Sequence, residues 1–183
     1  MAGTKTITKV FTAPAILVAM LLACSTRTAQ ADDVTVGQPA PDFHATTFDG
    51  RKISLADYQG RVLIINFWAT WCGPCRRELP LLDRYYQLQQ HAGLEVIAVA
   101  TEDSVSPSQL KPLAAAATIP FIRRMNGPYG VLKGVPTNIV IDRRGIVRYA
   151  QAGGFSLDDL NALLVPLLRE QRPDATVDPR PAS

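Results

Sequence analysis

Two cysteines that could form a redox pair lie in the segment Trp71-Cys72-Gly73-Pro74-Cys75. If this segment opens a helix, the second thiol lies one turn further in and close enough to the first for a disulfide. A cysteine at the exposed start of a helix feels the positive end of the helix dipole, which favours its thiolate. Pro74 suits the first helical turn, where its missing N–H is not needed. The pattern therefore predicts thiol–disulfide exchange with Cys72 as the attacking thiolate.

The elements on either side of the pair have the order that such a site needs. The apolar run Val62-Leu63-Ile64-Ile65-Asn66-Phe67-Trp68 precedes the cysteines, and residues 61–67 are predicted to form a buried strand. A helical pattern follows them to about His91, and Pro80 is expected to kink this helix. A strand that leads into Cys-x-x-Cys and continues as a helix is typical of a redox-active dithiol.

Two other interpretations of the pair compete with redox chemistry. A zinc site needs four ligands, and the other candidates, Cys24, His44 and His91, lack ligand spacing, so no metal site is predicted. A purely structural disulfide between Cys72 and Cys75 would close only a small loop and would constrain the unfolded chain little. The redox interpretation is favoured because the expected strand and helix flank the pair.

The first 31 residues have the layout of an export signal. A basic start and the apolar run 10–24 precede Ala29-Gln30-Ala31, which offers small residues for cleavage. The segment Leu21-Leu22-Ala23-Cys24 also resembles a bacterial lipoprotein cleavage site, at which Cys24 would be lipidated. Three outcomes stay open: cleavage after Ala31, lipidation at Cys24, or retention of the leader as an anchor. The predicted location is periplasmic or exported, with membrane attachment through the N-terminus as one option.

Removal of the leader would make the chain neutral. The full chain has 19 lysines and arginines against 16 acidic residues, a formal net charge of +3. Residues 1–31 hold three of these basic residues and no acidic one, so 16 of each sign remain. A neutral chain gives no argument for a nucleic-acid partner. Cleavage would also remove Cys24 and leave the redox pair without a third thiol.

The remaining chain suits one domain with a single core, since it has about 150 residues. Residues 32–170 are predicted to form this domain. Residues 171–183 contain three prolines and few apolar groups, so a disordered tail is expected there.

Local signals predict the other elements of the domain in chain order. They are an extended arm over 32–42; a hairpin of 43–47 and 51–54; a helical turn capped by Ser54 and Asp57 that ends near Gly60; a buried strand over 94–100; a helix that opens at Ser106, Pro107 and Gln109 and ends before Pro120; a short strand over 120–123; a hairpin of 138–142 and 145–151; and a helix capped by Ser156 and Asp159 that ends near Arg169. Strands that alternate with helices before a closing hairpin and helix predict a mixed sheet covered on both faces.

Four motifs together resemble the TlpA/ResA-like branch of the thioredoxin superfamily. They are Gly37-Gln38-Pro39-Ala40-Pro41-Asp42-Phe43; Asn66-Phe67-Trp68-Ala69-Thr70-Trp71-Cys72-Gly73-Pro74-Cys75-Arg76-Arg77-Glu78-Leu79-Pro80; Tyr129-Gly130-Val131; and Gly134-Val135-Pro136-Thr137. The resemblance covers roughly residues 35–170 and implies an exported or membrane-anchored thiol–disulfide oxidoreductase. It also implies an α/β thioredoxin fold, in which a central mixed sheet is flanked by helices. An N-terminal hairpin and an inserted βα element would extend that fold.

The resemblance assigns roles to two residues of the last motif. Pro136 matches the family's cis-proline, whose loop packs beside the disulfide; an ordinary turn proline is the alternative. The backbone of Val135 would then be exposed to pair with an extended substrate peptide, as a short β-augmentation.

Glu78 is the predicted proton acceptor of the site. Thioredoxin keeps a buried aspartate on the strand before its active site, and the matching residue here is Asn66, which cannot ionise. Glu78 follows Cys75 by three residues, on the same helix face, and the resembling branch often has an acid there. A carboxylate near a thiolate raises the pKa of the thiol and can accept its proton during exchange. The alternative is a solvated glutamate paired with Arg76 or Arg77.

The resemblance further implies a reductant of protein disulfides that uses the Cys72/Cys75 dithiol and no cofactor. Its substrates would be the Cys-x-x-Cys-His thiols of apocytochrome c or copper-site proteins of cytochrome oxidase assembly. Its electron donor would be a membrane thiol transporter of the DsbD or CcdA type. Gly-Pro between the cysteines matches reducing thioredoxin, whose potential is about −270 mV. A monomer is expected.

Three other functions would use some of the same residues. A general oxidant of the DsbA kind would run the exchange in reverse, but such proteins carry a large helical insert for which the interval between Cys75 and Pro136 is too short. A peroxiredoxin resembles the segment 37–43, but its peroxidatic cysteine does not sit in Trp-Cys-Gly-Pro-Cys. A copper chaperone would bind its metal with the cysteine pair and a distant histidine, His44 or His91.

The remaining conspicuous residues near the pair are predicted to have structural roles. Trp68 and Trp71 are expected to pack and shield the site. Arg76 and Arg77 are expected to form a solvated helix face.

Overall fold

The computed structural model describes residues 34–171 and Gly3. Apart from Gly3, the predicted leader lies outside the described residues, including its cleavage and lipidation sites, and so does the predicted tail beyond residue 171. None of the helices in the described part combines the length and apolarity that a membrane span requires.

In residues 34–171, seven strands form one mixed sheet that is accompanied by three α-helices. The strands are β1 (His44–Thr47), β2 (Lys52–Ser54), β3 (Val62–Trp68), β4 (Leu94–Ala100), β5 (Phe121–Asn126), β6 (Thr137–Ile141) and β7 (Val147–Ala152). The helices are α1 (Gly73–Gln89), α2 (Pro107–Ala116) and α3 (Leu157–Arg169), and two 3-10 turns cover Leu55–Tyr58 and Gln90–Ala92. The strand order across the sheet is β2-β1-β5-β4-β3-β6-β7.

Strand β3 lies inside the sheet and leads directly toward the cysteines. It pairs in parallel with β4 and antiparallel with β6, and all seven of its residues are buried. Helix α1 connects β3 to β4, and α2 connects β4 to β5, which pairs in parallel with β4. The α2–β5 unit is the inserted βα element that was predicted, because the chain then returns to β6 on the other side of β3.

The side chains of β3 alternate between two cores. Ile64 and Trp68 belong to a cluster to which all three helices contribute buried leucines. Ile65 and Phe67 belong to a second cluster, which includes residues of β1, β4, β6 and the 3-10 turn Leu55–Tyr58. Since side chains alternate along a strand, Asn66 faces the same side as Ile64 and Trp68. A polar residue of β3 is thereby placed under the helices.

The predicted helix starts are confirmed. Capping boxes join Ser54 to Asp57, Ser106 to Gln109 and Ser156 to Asp159, each at the start of the element predicted from the sequence. These signals are reliable because they satisfy backbone N–H groups that the first helical turn leaves without partners.

The strands other than β5 differ from their predicted bounds by at most two residues, and the ends of β5 and α1 differ for a structural reason. Strand β5 continues to Asn126, beyond the predicted 120–123, because β1 pairs with it along its outer side. Helix α1 passes through Pro80 as one element and ends at Gln89, and a 3-10 turn replaces the last predicted turn. The fold class, a mixed sheet flanked by helices with an N-terminal hairpin, is as predicted.

Candidate active site

The cysteine pair forms a disulfide at the amino end of α1. Cys72 caps the helix, and its Sγ accepts a hydrogen bond from the Cys75 N–H at 3.1 Å. The two Cα atoms of the disulfide are 5.3 Å apart. Cys72 therefore occupies the position at which the helix dipole favours a thiolate.

Both cysteines are more buried than an exposed helix start would suggest. Cys72 is 3 % exposed and Cys75 is 0 % exposed. The expectation of an exposed Cys72 is therefore wrong for the disulfide form, because the carbonyl oxygen of Val135 lies 3.5 Å from its Sγ. The remaining accessible surface of the pair belongs to Cys72, so Cys72 is the residue that a partner can approach.

The two tryptophans beside the pair have different environments. Trp68 packs as predicted: it is buried, and its ring meets that of Phe121 edge to face at 5.5 Å. Trp71 is 60 % exposed, so the prediction that it packs is wrong. Its indole Nε1–H donates to Asp103 Oδ2 at 3.1 Å, which holds the ring on the surface. The difference arises because Trp68 ends a buried strand, whereas Trp71 lies in the turn that leaves it.

A loop with a cis-proline lies against the disulfide. The bond between Val135 and Pro136 is cis, as the family resemblance implied. Thr137 holds the loop, since its Oγ1 donates to the Gly134 carbonyl at 2.7 Å and accepts from the Leu132 N–H at 3.3 Å. Pro136 is buried and Val135 is half-buried. The backbone of Val135 is thereby presented beside Cys72.

Glu78 lies one helical turn after Cys75 and is buried. Glu78 is only 4 % exposed, so the alternative of a solvated surface glutamate is wrong. Oε1 accepts from the Asn138 Nδ2 at 2.7 Å and from the Phe155 N–H at 2.8 Å. Oε2 accepts from the Asn66 Nδ2 at 3.0 Å. The Glu78 carboxylate is thus buried and accepts hydrogen bonds from three uncharged donors.

The two asparagines that hold Glu78 are neighbours across the sheet. Asn66 on β3 and Asn138 on β6 are directly paired in register, and both are fully buried. Asn66 Nδ2 also donates to Asn138 Oδ1 at 2.8 Å, and Asn138 Nδ2 to the Gly153 carbonyl at 3.1 Å. Asn138, Gly153 and Phe155 were missed by the sequence reasoning; an isolated asparagine in each of two apolar strands was the available signal.

The cis-proline loop and the buried carboxylate adjoin the same backbone segment after β7. A Cβ atom at Gly154 would lie 3.5 Å from Pro136 Cγ and 3.8 Å from Glu78 Cδ. The structure therefore brings Cys72, Cys75, Glu78 and the loop of Pro136 into one site at the start of α1.

Burial raises the pKa of Glu78 above its ordinary value of 4.5, and the hydrogen bonds from Phe155, Asn138 and Asn66 act in the opposite direction. Burial prevails because removing a carboxylate from water disfavours its charged form. Glu78 can consequently hold a proton at a higher pH than a surface glutamate does, which suits a group that exchanges protons with thiols.

This raised pKa predicts a pH dependence of stability that Glu78→Gln removes. A group whose pKa is raised on folding stabilises the protein fully below its unfolded pKa, and this contribution is lost as pH rises through the folded pKa. The free energy of unfolding of the wild type, relative to that of Glu78→Gln, should therefore fall as pH increases from 4.5. The slope should not exceed about 1.4 kcal/mol per pH unit, the limit for one proton.

Urea unfolding of both oxidised proteins at a series of pH values measures this difference. A difference that is constant with pH would contradict the raised pKa of Glu78.

Four other residues considered in the sequence analysis lie on the surface. Arg76 and Arg77 are exposed, as predicted, and so are His44 and His91. Across the part of the chain that the structure describes, no group of three or more His, Cys, Asp or Glu residues is placed to hold a metal ion.

Comparison with known proteins gives a consistent family. The model of the AhpC/TSA family matches residues 36–150. The chain is 33 % identical to the thiol-disulfide oxidoreductase ResA of Geobacillus thermodenitrificans over 131 residues, which are 69 % of this chain and 75 % of the relative. It is 34 % identical to the thioredoxin-like protein YneN of Bacillus subtilis over 134 residues, 70 % of this chain and 78 % of that protein.

Solved structures share the fold. A thiol:disulfide interchange protein of the thioredoxin family from Chlorobium tepidum superposes with a TM-score of 0.62 at 29 % identity, over 72 % of this chain and 96 % of that one. A secreted thiol-disulfide isomerase from Corynebacterium glutamicum gives a TM-score of 0.62 at 25 % identity, over 72 % and 86 % of the two chains.

Proposed function

This chain belongs to the AhpC/TSA thioredoxin-like family and is a thiol–disulfide oxidoreductase, and from that premise we propose that it reduces disulfides of exported proteins with the Cys72/Cys75 dithiol. The observation that carries the proposal is the placement of Cys72. It caps α1 and lies 3.5 Å from the carbonyl oxygen of Val135, beside the cis-proline. A thiolate at this point is stabilised by the helix and faces the backbone that a substrate peptide would contact.

The first step joins the enzyme to its substrate. The Cys72 thiolate attacks one sulfur of the substrate disulfide, forms a mixed disulfide and releases the other substrate sulfur as a thiolate. The backbone of Val135 would hold the substrate segment as a short added strand. Half-burial of Val135 and its position next to Cys72 support this role.

The second step releases the reduced substrate. Cys75 loses its proton to Glu78, and its thiolate attacks the Cys72 sulfur of the mixed disulfide. The Cys72–Cys75 disulfide forms and the second substrate thiolate leaves. Two electrons pass from the dithiol to the substrate, and the proton that Glu78 took from Cys75 passes on to a substrate thiolate or to solvent. The buried position of Glu78, three residues after Cys75, supports its role as proton acceptor.

The oxidised enzyme then needs an electron donor. A membrane thiol transporter of the DsbD or CcdA type would fit an exported dithiol protein, with apocytochrome c or a copper-site protein of cytochrome oxidase assembly as substrate. The signal-like sequence of residues 1–31 supports a periplasmic location. We propose that the domain over 32–170 acts there as a monomer. Similarity to a secreted thiol-disulfide isomerase supports export as well.

Trapping the mixed disulfide tests this function. In Cys75→Ala the second step cannot occur, so the substrate should stay bound to Cys72. Expression of this variant in the native host, followed by non-reducing electrophoresis and mass spectrometry, should identify a protein linked through Cys72. The double variant Cys72→Ala/Cys75→Ala is the control and should trap none. Equal amounts of the same adducts on both variants would contradict the proposed substrate reduction.

A further inference from the structure

The hydrogen bonds around Glu78 have a fixed direction that begins at a backbone carbonyl. The Gly153 carbonyl can only accept, so the group of Asn138 that faces it at 3.1 Å must be its Nδ2. The same Nδ2 donates to Glu78 Oε1 at 2.7 Å. Asn138 therefore cannot reverse its amide without placing its oxygen against two acceptors.

Asn138 in turn fixes Asn66. With the Asn138 amide oriented by Gly153, its Oδ1 is the atom that faces Asn66, and it accepts from Asn66 Nδ2 at 2.8 Å. The same Nδ2 donates to Glu78 Oε2 at 3.0 Å. Both hydrogens of each side-chain amide are thus in use, and both amides present a donor to the carboxylate.

The remaining polar atom of the two amides, Asn66 Oδ1, has no partner within residues 34–171 in this orientation. Asn66 Oδ1 is buried and accepts no hydrogen bond from any residue that the structure describes. A buried acceptor without a partner has a free-energy cost. If the Asn66 amide were reversed, this oxygen would face Glu78 Oε2 and Asn138 Oδ1, which are both acceptors, and neither would receive a hydrogen bond from Asn66. In the observed orientation, Asn66 Nδ2 donates to both Glu78 Oε2 and Asn138 Oδ1, and Asn66 Oδ1 is left without a partner among the described residues.

We propose that Asn66 and Asn138 are positioning residues, which hold the Glu78 carboxylate ionised and in place to take the proton of Cys75. This proposal rests on the proton-accepting role proposed above for Glu78. The physical reason is that an amide donor stabilises a carboxylate but opposes a protonated acid at the same oxygen. Without these two donors, only the Phe155 N–H among the described residues would still oppose the effect of burial, and Glu78 would hold its proton to a higher pH. A protonated acid cannot accept the thiol proton.

The charged and titratable groups near Glu78 are few. Its own helix carries the Cys72–Cys75 pair and, on the exposed side, Arg76 and Arg77. From β7, Tyr149 approaches closely enough for the charge of Glu78 to contribute to its raised pKa, after burial and Asp159. Asp159 of α3 is exposed. The residues that β3 and β6 direct at Glu78 are the two asparagines, which do not titrate, so a change at either one acts on Glu78 without adding or removing a cation.

The titration of Glu78 can be measured directly by carboxyl ¹³C NMR in the oxidised protein, with Glu78→Gln identifying the signal. In Asn66→Leu, Oε2 loses the one donor that it has among the described residues, and the acid dissociation constant of Glu78 should fall roughly tenfold or more. Asn66→Asp, which keeps the size of the side chain, should lower it further, because a second carboxylate then faces Oε2. Ile64→Val is the matched control: it lies two residues away on the same face of β3 and removes packing but no donor, so the Glu78 titration should not move.

The functional readout is the pH profile of the rate at which Cys75 resolves a mixed disulfide with a peptide. In the asparagine variants its lower limb should move to higher pH together with the Glu78 titration. If the asparagines served only stability, the variants would have a lower melting temperature, but the midpoints of the Glu78 titration and of the lower limb of the pH–rate profile would stay unchanged. That result would overturn the proposal.

A measurement on the wild type decides the matter if no Asn66 variant folds. The side-chain amide signals of Asn66 and Asn138 should change with pH at the Glu78 midpoint, since both amides donate to that carboxylate. If the amide signals do not change with pH at the Glu78 midpoint, the proposal is overturned. The role of Glu78 itself is judged separately: if Glu78→Gln keeps the wild-type pH–rate limb, the proton-acceptor role fails, whatever the asparagines do to the titration.

Discussion

Cys72→Ser is expected to abolish the reduction of insulin disulfides. The substituted hydroxyl is not ionised at neutral pH and forms no disulfide, so the first exchange step has no nucleophile. With dithiothreitol as reductant, the wild-type chain should accelerate insulin precipitation. The variant should show only the rate of dithiothreitol alone, a complete loss of the catalysed reaction.

Two further variants make this result specific. Cys75→Ser should also lose turnover, but it should accumulate a mixed disulfide through Cys72, which Cys72→Ser cannot do. In the full chain, Cys24→Ser should keep the wild-type rate, because the third thiol has no part in the exchange. A Cys72→Ser variant that retains a substantial part of the catalysed rate would show that the dithiol is not the catalytic group.

The part of this site that depends on local sequence was predictable. The Cys-x-x-Cys spacing, the apolar strand before it and the helix after it are contiguous, and each helix start carries its own capping signal. Helical periodicity also placed Glu78 on the face of Cys75, which is the buried face of α1. These features need no knowledge of which distant segments come together.

The partners of Glu78 were not predictable in this way. Asn138 and the Phe155 N–H follow Glu78 by 60 and 77 residues, and they meet it only because β6 pairs with β3 and the chain after β7 returns to α1. The pairing of Asn66 with Asn138 depends on the register of two strands, which a one-residue slip would destroy. Two isolated asparagines in apolar strands are a hint of such a pair, but their register cannot be read from one sequence.

The burial of individual side chains in turns could not be predicted from the sequence either. Trp71 was expected to pack, but its turn directs it outward. Arg143 and Arg144 lie in the turn between the predicted strands 138–142 and 145–151, where both would be expected on the surface. In the structure Arg144 remains on the surface, with 61 % of its side chain exposed, whereas Arg143 is 5 % exposed. The difference follows from three carbonyl groups that converge on Arg143 from distant parts of the chain.

The buried guanidinium of Arg143 donates hydrogen bonds to all three of these carbonyls. Arg143 Nη1 donates to the Gly60 carbonyl at 2.8 Å, and Nη2 donates to the Ala92 carbonyl at 2.6 Å and to the Leu168 carbonyl at 3.0 Å. Gly60 precedes β3, Ala92 precedes β4 and Leu168 is near the end of α3, so one side chain ties the starts of two strands to a helix terminus. Arg143→Met keeps much of the length of the side chain but leaves these acceptors without their donor.

We expect Arg143→Met to lower the free energy of unfolding by about 3 kcal/mol or more, since a hydrogen bond from a charged group contributes roughly 1.5 to 3 kcal/mol and an unpaired buried acceptor adds a cost. Urea unfolding of the oxidised proteins gives the value. Arg144→Met is the matched control: its ion pair with Asp142 is long, at 3.5 Å, and Arg148 remains 3.2 Å from the same carboxylate, so a loss below about 1 kcal/mol is expected.

The Arg143 cluster lies at the amino ends of β3 and β4, whereas the cysteines follow the carboxyl end of β3. The folded Arg143→Met protein should therefore reduce insulin at the wild-type rate at a temperature below its transition. Equal stability of the two methionine variants would show that the three carbonyls do not need Arg143.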